Sequence, residues 1–298
     1  MKFDTLKEKC EYFRSLTDYR LTPNSYVIAF LDGRSFSKLI KNKYEKPFDN
    51  TFISMMNETA KYLLKNIQGA KFAYVQSDEI SILISDFDTP ETDAFFGYRL
   101  CKMQSIMASM AASKFNQLAI TNDIKSRCYG TTQTDCEDTL YTLKDAVQYL
   151  EKAKLVEFDC KCWTVPSPND AYCHFLWRQN DCIRNSKQQA AQTYLSHKEL
   201  IGKHTDEQIA LLKAEKGIDW NDYSDGEKYG RLIYKEEETL STTVPKKNSN
   251  GVIDWMPIEY KRNVFKPHGA LPFGAENNII HSLIPSRISI KTAESVEN

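Results

Sequence analysis

Three acidic residues, Asp32, Asp78 and Glu79, stand where apolar runs give way to turns, and hard carboxylate oxygens in such positions can hold divalent cations. Asp32 ends the run Tyr26-Val-Ile-Ala-Phe-Leu and is followed by Gly33 and Arg34. The glycine permits a sharp turn or the close approach of a ligand, and the arginine offers a cation to a phosphate. On this stretch alone, an ordinary Asp-Gly turn without a ligand is the competing reading. Asp78 and Glu79 belong to the polar link Ser77-Asp78-Glu79 between two apolar runs within residues 72–84. If those runs form a hairpin beside the Tyr26 strand, Asp32 and Asp78 emerge at one sheet edge, where two carboxylates on adjacent strands can share metal ions.

The elements that must position these groups follow from periodicity. Residues 26–31 are too few to span a membrane and rich in β-branched and aromatic types, as in a strand buried on both faces. Before them, Leu6, Tyr12, Phe13 and Leu16 predict an amphipathic helix leading into the core. Asp49 is suited to cap a helix whose apolar face is Phe52, Met55, Met56, Leu63 and Ile67, ending at Gly69. A second long helix is expected from Thr89-Pro90 to about Ala119, with Arg99, Lys102 and Lys114 on its polar face. Residues 121–137 read as a loop, 140–150 as a short helix, and 155–165 as a strand that turns Val156, Phe158, Cys160 and Cys162 to one side.

Strand, helix, hairpin, helix, strand is the β-α-β-β-α-β pattern of a ferredoxin-like or polymerase-palm antiparallel sheet, an α+β fold. An aspartate at the end of its first strand and another in the hairpin turn is a recurring arrangement for two-metal nucleotidyl transfer. Pro166-Ser-Pro-Asn marks a boundary. Beyond it, Asn169 is expected to cap a helix through Asp181, Ser196 and Glu199 to form one capping box, and Thr205 and Gln208 a second before Gly217. Leu232 to Lys235 suggest a late strand, and the chain after Ser241 reads as irregular. The expected organisation is a palm-like catalytic domain over 1–165, a helical region completing the site over 166–240, and an extension over 241–298.

The 298 residues carry 39 Lys and Arg against 40 Asp and Glu, so bulk charge gives no support to nucleic-acid binding and any such surface must be a local patch. No segment approaches the ~20 apolar residues of a membrane span, and the N-terminus lacks a signal peptide, which predicts a soluble, cytoplasmic protein. Eight cysteines include no Cys-x-x-Cys pair, and the spacing of Cys160 and Cys162 suits free buried thiols on a strand better than zinc.

Taken in order, Leu31-Asp32-Gly33-Arg34-Ser35-Phe36, Lys46-Pro47 with Asp49, Gln76-Ser77-Asp78-Glu79, Arg99 with Lys102, Phe158-Asp159, and Trp177-Arg178-Gln179-x-Asp181-Cys182 resemble the tRNA-histidine guanylyltransferase family. The resemblance implies a palm that extends the 5′ end of tRNA in the 3′-to-5′ direction. A 5′-monophosphate is activated by ATP or GTP, the 3′-hydroxyl of an incoming GTP attacks, and pyrophosphate is released. By that resemblance, Asp32, the Gly33 carbonyl and Asp78 bind two magnesium ions, with Glu79 catalytic or in support. Asp32, Gly33, Arg34, Ser35, Phe36 and Ser37, with Ser77 and Asp78, cradle the nucleotide. Lys46, Asp49, Arg99, Lys102 and Ser109 match positions around triphosphate and tRNA, and Arg178, Gln179 and Asn185 are implied tRNA contacts, beside Asp181. A homotetramer is the implied assembly.

The chain also departs from the family pattern. The usual Gly-Arg after Phe158-Asp159 is Cys160-Lys161, the first Arg of an Arg pair is Tyr98, and the His-Ile-Asn-Asn run is Ile183-Arg184-Asn185-Ser186. The lost run favours addition directed by base pairing over strict guanylylation of histidine tRNA. A palm-fold nucleotide cyclase or signalling synthase, and a catalytically silent RNA-binding relative, are the readings from other classes.

Overall fold

A computed structural model describes residues 2–36, 43–89, 91–129, 143–247, 253–274 and 278–286. Six strands, β1 (Tyr26–Gly33), β2 (Ala70–Gln76), β3 (Glu79–Ile84), β4 (Phe158–Val165), β5 (Arg231–Lys247) and β6 (Ile253–Gly269), form one sheet in the order β4-β1-β3-β2-β5-β6. Every pairing is antiparallel, and the first four strands have the expected ferredoxin-like order.

The unbroken apolar run of β1 has the predicted cause. Val27, Ala29 and Leu31 face a core shared with α2 (Asn50–Asn66) and α3 (Leu100–Tyr129), while Tyr26 and Ile28 face the opposite core, shared with α5 (Pro168–Tyr194). Asp49 caps α2 as expected, its Oδ1 accepting from Phe52 N at 2.7 Å. The predicted stripe of α2, from Phe52 to Ile67, is buried.

Several boundaries differ from the sequence expectation. Helix α1 (Leu6–Ser15) forms, yet none of its residues is buried, so it lies on the surface and does not lead into the core. Helix α3 begins at Leu100, about a turn-rich ten residues after Thr89, because Phe96, Gly97 and Tyr98 all have positive φ (52, 58 and 55°), which no right-handed helix tolerates. Burial of the Phe95 and Tyr98 rings accompanies that left-handed stretch. Pro90 lies outside the described residues. At its other end α3 continues through Tyr129, and the expected loop at 121–129 is helix, with Asp123 paired to Lys43 at 2.6 Å. Residues 130–137 of that loop lie outside the described residues.

Short helix α4 (Leu143–Lys152) precedes β4. Helix α5 is capped by Ser167, whose Oγ accepts from Asp170 N at 3.1 Å, with Pro168 in the first turn, and it runs well past Asp181. The Ser196 and Glu199 capping box of α6 (His197–Leu200) is as predicted. For α7 (Thr205–Lys216) the box is His204 with Glu207, one residue early, since Gln208 turns inward to donate to Lys203 O at 2.9 Å. Left-handed Gly217 ends α7 as expected. Helix α8 (Asp225–Lys228) leads into β5, and α9 (Ile280–Leu283) follows β6.

The stretch after Ser241 is not irregular. β5 and β6 pair over 17 residues each, although β5 meets β2 only from Arg231 to Ile233, so most of the hairpin projects from the sheet. Pro245 and Pro257 sit within the ribbon, where the missing N–H is tolerated on a free edge. Residues 287–298 lie outside the described ones. Among the described residues no helix is long and apolar enough to cross a membrane. Among the described residues six thiols are free, but Cys10, Cys101 and Cys173 are exposed, contrary to expected burial, and Cys160 and Cys162 lie side by side with sulfurs 3.8 Å apart.

Candidate active site

Asp32 lies directly opposite Glu79 on β3 and Asp159 on β4, and Glu79 in turn lies opposite Gln76 on β2. Side chains at paired positions share a face, so one polar row, Asp159, Asp32, Glu79 and Gln76, crosses the end of the sheet on the side covered by α5. The two-residue hairpin loop Ser77-Asp78 hangs beyond this row, with Ser77 at φ 43° where glycine is usual. Gly33 is required by packing. A Cβ there would lie 2.4 Å from the ring of Phe36, which is itself buried against Phe52, Phe115 and Phe158. The Phe36 ring is therefore a core anchor for the turn and is closed to a ligand. Arg34 is exposed and holds Glu157 at 2.7 Å, and Ser35 is left-handed at φ 60°. Ser37 lies outside the described residues.

The acids are crowded. Burial raises the pKa of Asp78 to about 6, helped by the charge of Asp32, and burial together with Asp159 raises that of Asp32. Glu79 is also raised by burial, against the pull of Arg178. Its oxygens are already taken: Arg178 Nε and Nη2 donate to Oε2 and Oε1 at 3.0 Å each, and Gln76 Nε2 donates to Oε2 at 2.7 Å. Glu79 thus braces the site, and of the three acids singled out by the sequence Asp32 and Asp78 are left to bind a cation, with the exposed Asp159 opposite Asp32. Two hard anionic donors that destabilise each other when ionised suit a divalent cation such as magnesium, which would remove the repulsion. Among the described residues no three His, Cys, Asp or Glu side chains converge as a metal cage, so backbone carbonyls, water and substrate phosphates would complete the coordination.

A cavity of about 290 Å³ opens beside the hairpin loop, between the start of α2 and the middle of α5, lined among others by Asp49, Phe52, Ser77, Asp78, Asn185 and Gln189. Its mixed aromatic and polar wall fits a nucleobase. Asp49 forms part of that wall, with both carboxylate oxygens engaged by Phe52 N and Glu45 N. Lys46 is exposed just before Pro47. Asn185 is exposed at the rim of the cavity.

Other sequence candidates sit elsewhere. Arg178 and Gln179 are buried, the first stacked on Phe30 and held by Glu79 and Asp181, the second bonded to the backbone of Leu271 and Phe273. They position α5 and the loop after β6 and do not face solvent, which corrects their reading as tRNA contacts. Arg99 pairs with Asp18 at 2.7 Å and Lys102 lies over the Phe96 ring, both at the start of α3. Phe115 of the same helix packs on Phe36 at the carboxylate end, so Arg99 lies about 24 Å away along the axis at 1.5 Å per residue. Ser109 sits between, on the same helix. Within one chain, Arg99 and Lys102 do not reach the nucleotide cradle.

Sequence reasoning placed no role on Asp159, Gln189 or Arg231, though the first faces Asp32 and the others line the cavity. Asn185 and Gln189, four apart on one helix face, carried a signal of the pair. Arg231 is buried and donates to Asn57 Oδ1 at 2.9 Å, a contact no local pattern announces.

A sequence model described as tRNAHis guanylyltransferase matches residues 7–166. The chain is 26% identical over 246 residues to an uncharacterized protein of Acanthamoeba polyphaga mimivirus, spanning 78% of each. It is 26% identical over 254 residues to tRNA(His) guanylyltransferase 1 of Arabidopsis thaliana, spanning 80% of this chain and 39% of the plant protein. A bacterial tRNA(His) guanylyltransferase-like protein solved in complex with ATP is similar at TM-score 0.71 and 26% identity, covering 94% of this chain and 99% of that one.

Proposed function

The chain belongs to the tRNA(His) guanylyltransferase family, whose members are nucleotidyltransferases, and from that premise we propose that it adds nucleotides to the 5′ end of tRNA in the 3′-to-5′ direction, directed by base pairing. The observation that carries the reading is the pair of mutually repelling carboxylates, Asp32 and Asp78, at the sheet edge beside a nucleobase-sized cavity.

Asp32 and Asp78, with the Gly33 carbonyl, would hold magnesium, which when bound supplies Lewis-acid neutralisation of the triphosphate and activation of the attacking hydroxyl. Glu79, fixed by Arg178 and Gln76, keeps the hairpin loop and hence Asp78 in place. Arg34 and Lys46, both exposed, offer cations to phosphates, and the cavity receives the base. In the proposed sequence ATP or GTP activates the 5′-monophosphate with release of pyrophosphate. The 3′-hydroxyl of the incoming nucleotide then gives up its proton and attacks that phosphorus, forming the new phosphodiester and expelling the activating nucleotide as AMP or GMP. A tetramer and recognition of the tRNA body through Asn185 are parts of the same proposal.

Ile183-Arg184-Asn185-Ser186 supports the template-directed version. Where side chains do not select the tRNA, a complementary base in the opposite strand positions the incoming nucleotide. Strict guanylylation of histidine tRNA is the second reading, supported by the names of the relatives. The test supplies magnesium, ATP and each nucleoside triphosphate to tRNAs lacking the first nucleotide, with each of the four bases opposite the gap. Incorporation is expected to follow Watson–Crick pairing. Guanosine added only to histidine tRNA, whatever the opposing base, would overturn template direction.

A further inference from the structure

Trp177 is 60% exposed on α5, a long helix fixed to the sheet by the buried Phe175, Arg178 and Cys182. The chain buries most of its large aromatic rings at this face, so an open indole on a rigid element needs a physical account. Its setting is specific. The Arg178 guanidinium lies 4.4 Å from the ring centroid, and the His174 ring abuts it at 6.0 Å and 65°. That same guanidinium grips Glu79, which lies opposite Asp32. One side chain therefore separates an exposed indole from the carboxylate row.

We propose that Trp177 is a stacking platform for a nucleobase brought to the carboxylate edge. Three features give it that chemistry. The ring is held from below by a cation and from the side by a buried imidazole, so it is ordered before any ligand arrives and loses little freedom on binding. Every base has a π-face, and stacking on tryptophan needs no particular hydrogen-bonding edge, which suits a site that accepts whichever base the template selects. The platform lies across α5 from the cavity at the hairpin loop, whose wall includes Cys182 and Asn185, so a base on Trp177 is a second base alongside one in the cavity. The base is carried either by a free nucleoside triphosphate or by the terminal nucleotide of an RNA.

This inference rests on the nucleotidyltransferase reading, and binding measured without turnover separates the two. Affinities of full-length wild type, Trp177→Ala and Trp177→Phe are measured for GTP, for 5′-monophosphorylated tRNA, and for inorganic tripolyphosphate as a probe without a base. Trp177→Ala is expected to weaken GTP or the tRNA about tenfold, with Trp177→Phe recovering most of the loss, and with tripolyphosphate binding and Tm unchanged. A loss confined to GTP assigns the base to the free nucleotide; a loss confined to tRNA assigns it to the RNA end. Unchanged affinity in both arms, or an equal loss for tripolyphosphate, overturns the platform. A protein that binds as expected but transfers no nucleotide would overturn the proposed function and leave the platform standing.

Discussion

Arg178 holds Glu79 with a two-pronged grip, Nε to one carboxylate oxygen and Nη2 to the other at 3.0 Å each, across 99 residues of chain. The grip ties α5 to the hairpin that presents Asp78, so the carboxylate edge and the helix that covers it are one mechanical unit.

Breaking that pair from either side leaves a charge buried alone. Arg178→Ala is expected to lower stability by about 3–5 kcal/mol, and Glu79→Gln by less, since the amide still accepts from Gln76 or Arg178. Chemical denaturation of both variants checks this. Equal, small losses would mean that Glu79 is solvated and free to serve as a ligand.

Asp32→Asn and Asp78→Asn should separate activity from stability. Each is expected to cut nucleotide addition by roughly 10³-fold or more. In the absence of metal each should leave the protein as stable as wild type or more so, because the repulsion between the acids is gone. The raised pKa of Asp78, about 6, sets the pH window. The folded protein holds that proton more tightly than the unfolded chain, so the group's stabilising contribution is present below about pH 4 and is lost as pH rises through 6. The wild type minus Asp78→Asn difference in metal-free stability should therefore shift by about 2 kcal/mol between pH 4.5 and 7.5. A flat difference would place Asp78 in open solvent.

His174 titrates with the opposite sign. Buried with Nε2 3.0 Å from Ser81 Oγ, it is held neutral, its pKa pushed down to about 4 by burial first and Arg178 second. Its contribution is complete above about pH 6.5 and is lost as pH falls toward 4, by about 3 kcal/mol. Thermal melts of His174→Phe across that range should lack this part of the acid sensitivity. An unchanged pH slope in the variant would show that the imidazole is charged in the folded state.

Arg99 and Lys102, far from the carboxylates in the same chain, can matter only to a long anion. Neutralising both should raise KM for tRNA and flatten its salt dependence while leaving KM for the free nucleoside triphosphate unchanged. If the nucleotide KM rises instead, a second copy of the chain brings these residues to the site.

Where residues act on near neighbours, the sequence was legible. The β1 run, the hairpin with Ser77-Asp78 at its tip, and the Asp49 cap all follow from periodicity and local hydrogen bonding, and they deliver Asp32 and Asp78 to one edge. What failed depends on distant partners or on rare backbone states. The left-handed run Phe96-Gly97-Tyr98 contains only one glycine to announce it. Arg178 and Gln179 look like surface contacts until the fold supplies Glu79 and the backbone around Phe273. The long ribbon was hidden by Glu236-Glu237-Glu238 and three prolines, Pro245, Pro257 and Pro267, because charge and missing donors are tolerated on strands with free edges.

That ribbon gives the molecule a limb with its own clock. Its base is anchored by Phe265, buried in the main core, but from Thr239 outward it runs about 9 residues, or roughly 30 Å, with only its own ladder to hold it, and two-stranded ribbons alone are marginal in water. Its amide protons should exchange with solvent through local opening, in advance of every strand of the main sheet, while β1 and β3 wait for the whole fold to come apart. The protein thus divides into a body that opens all at once and a limb that opens on its own, without the carboxylate edge being disturbed.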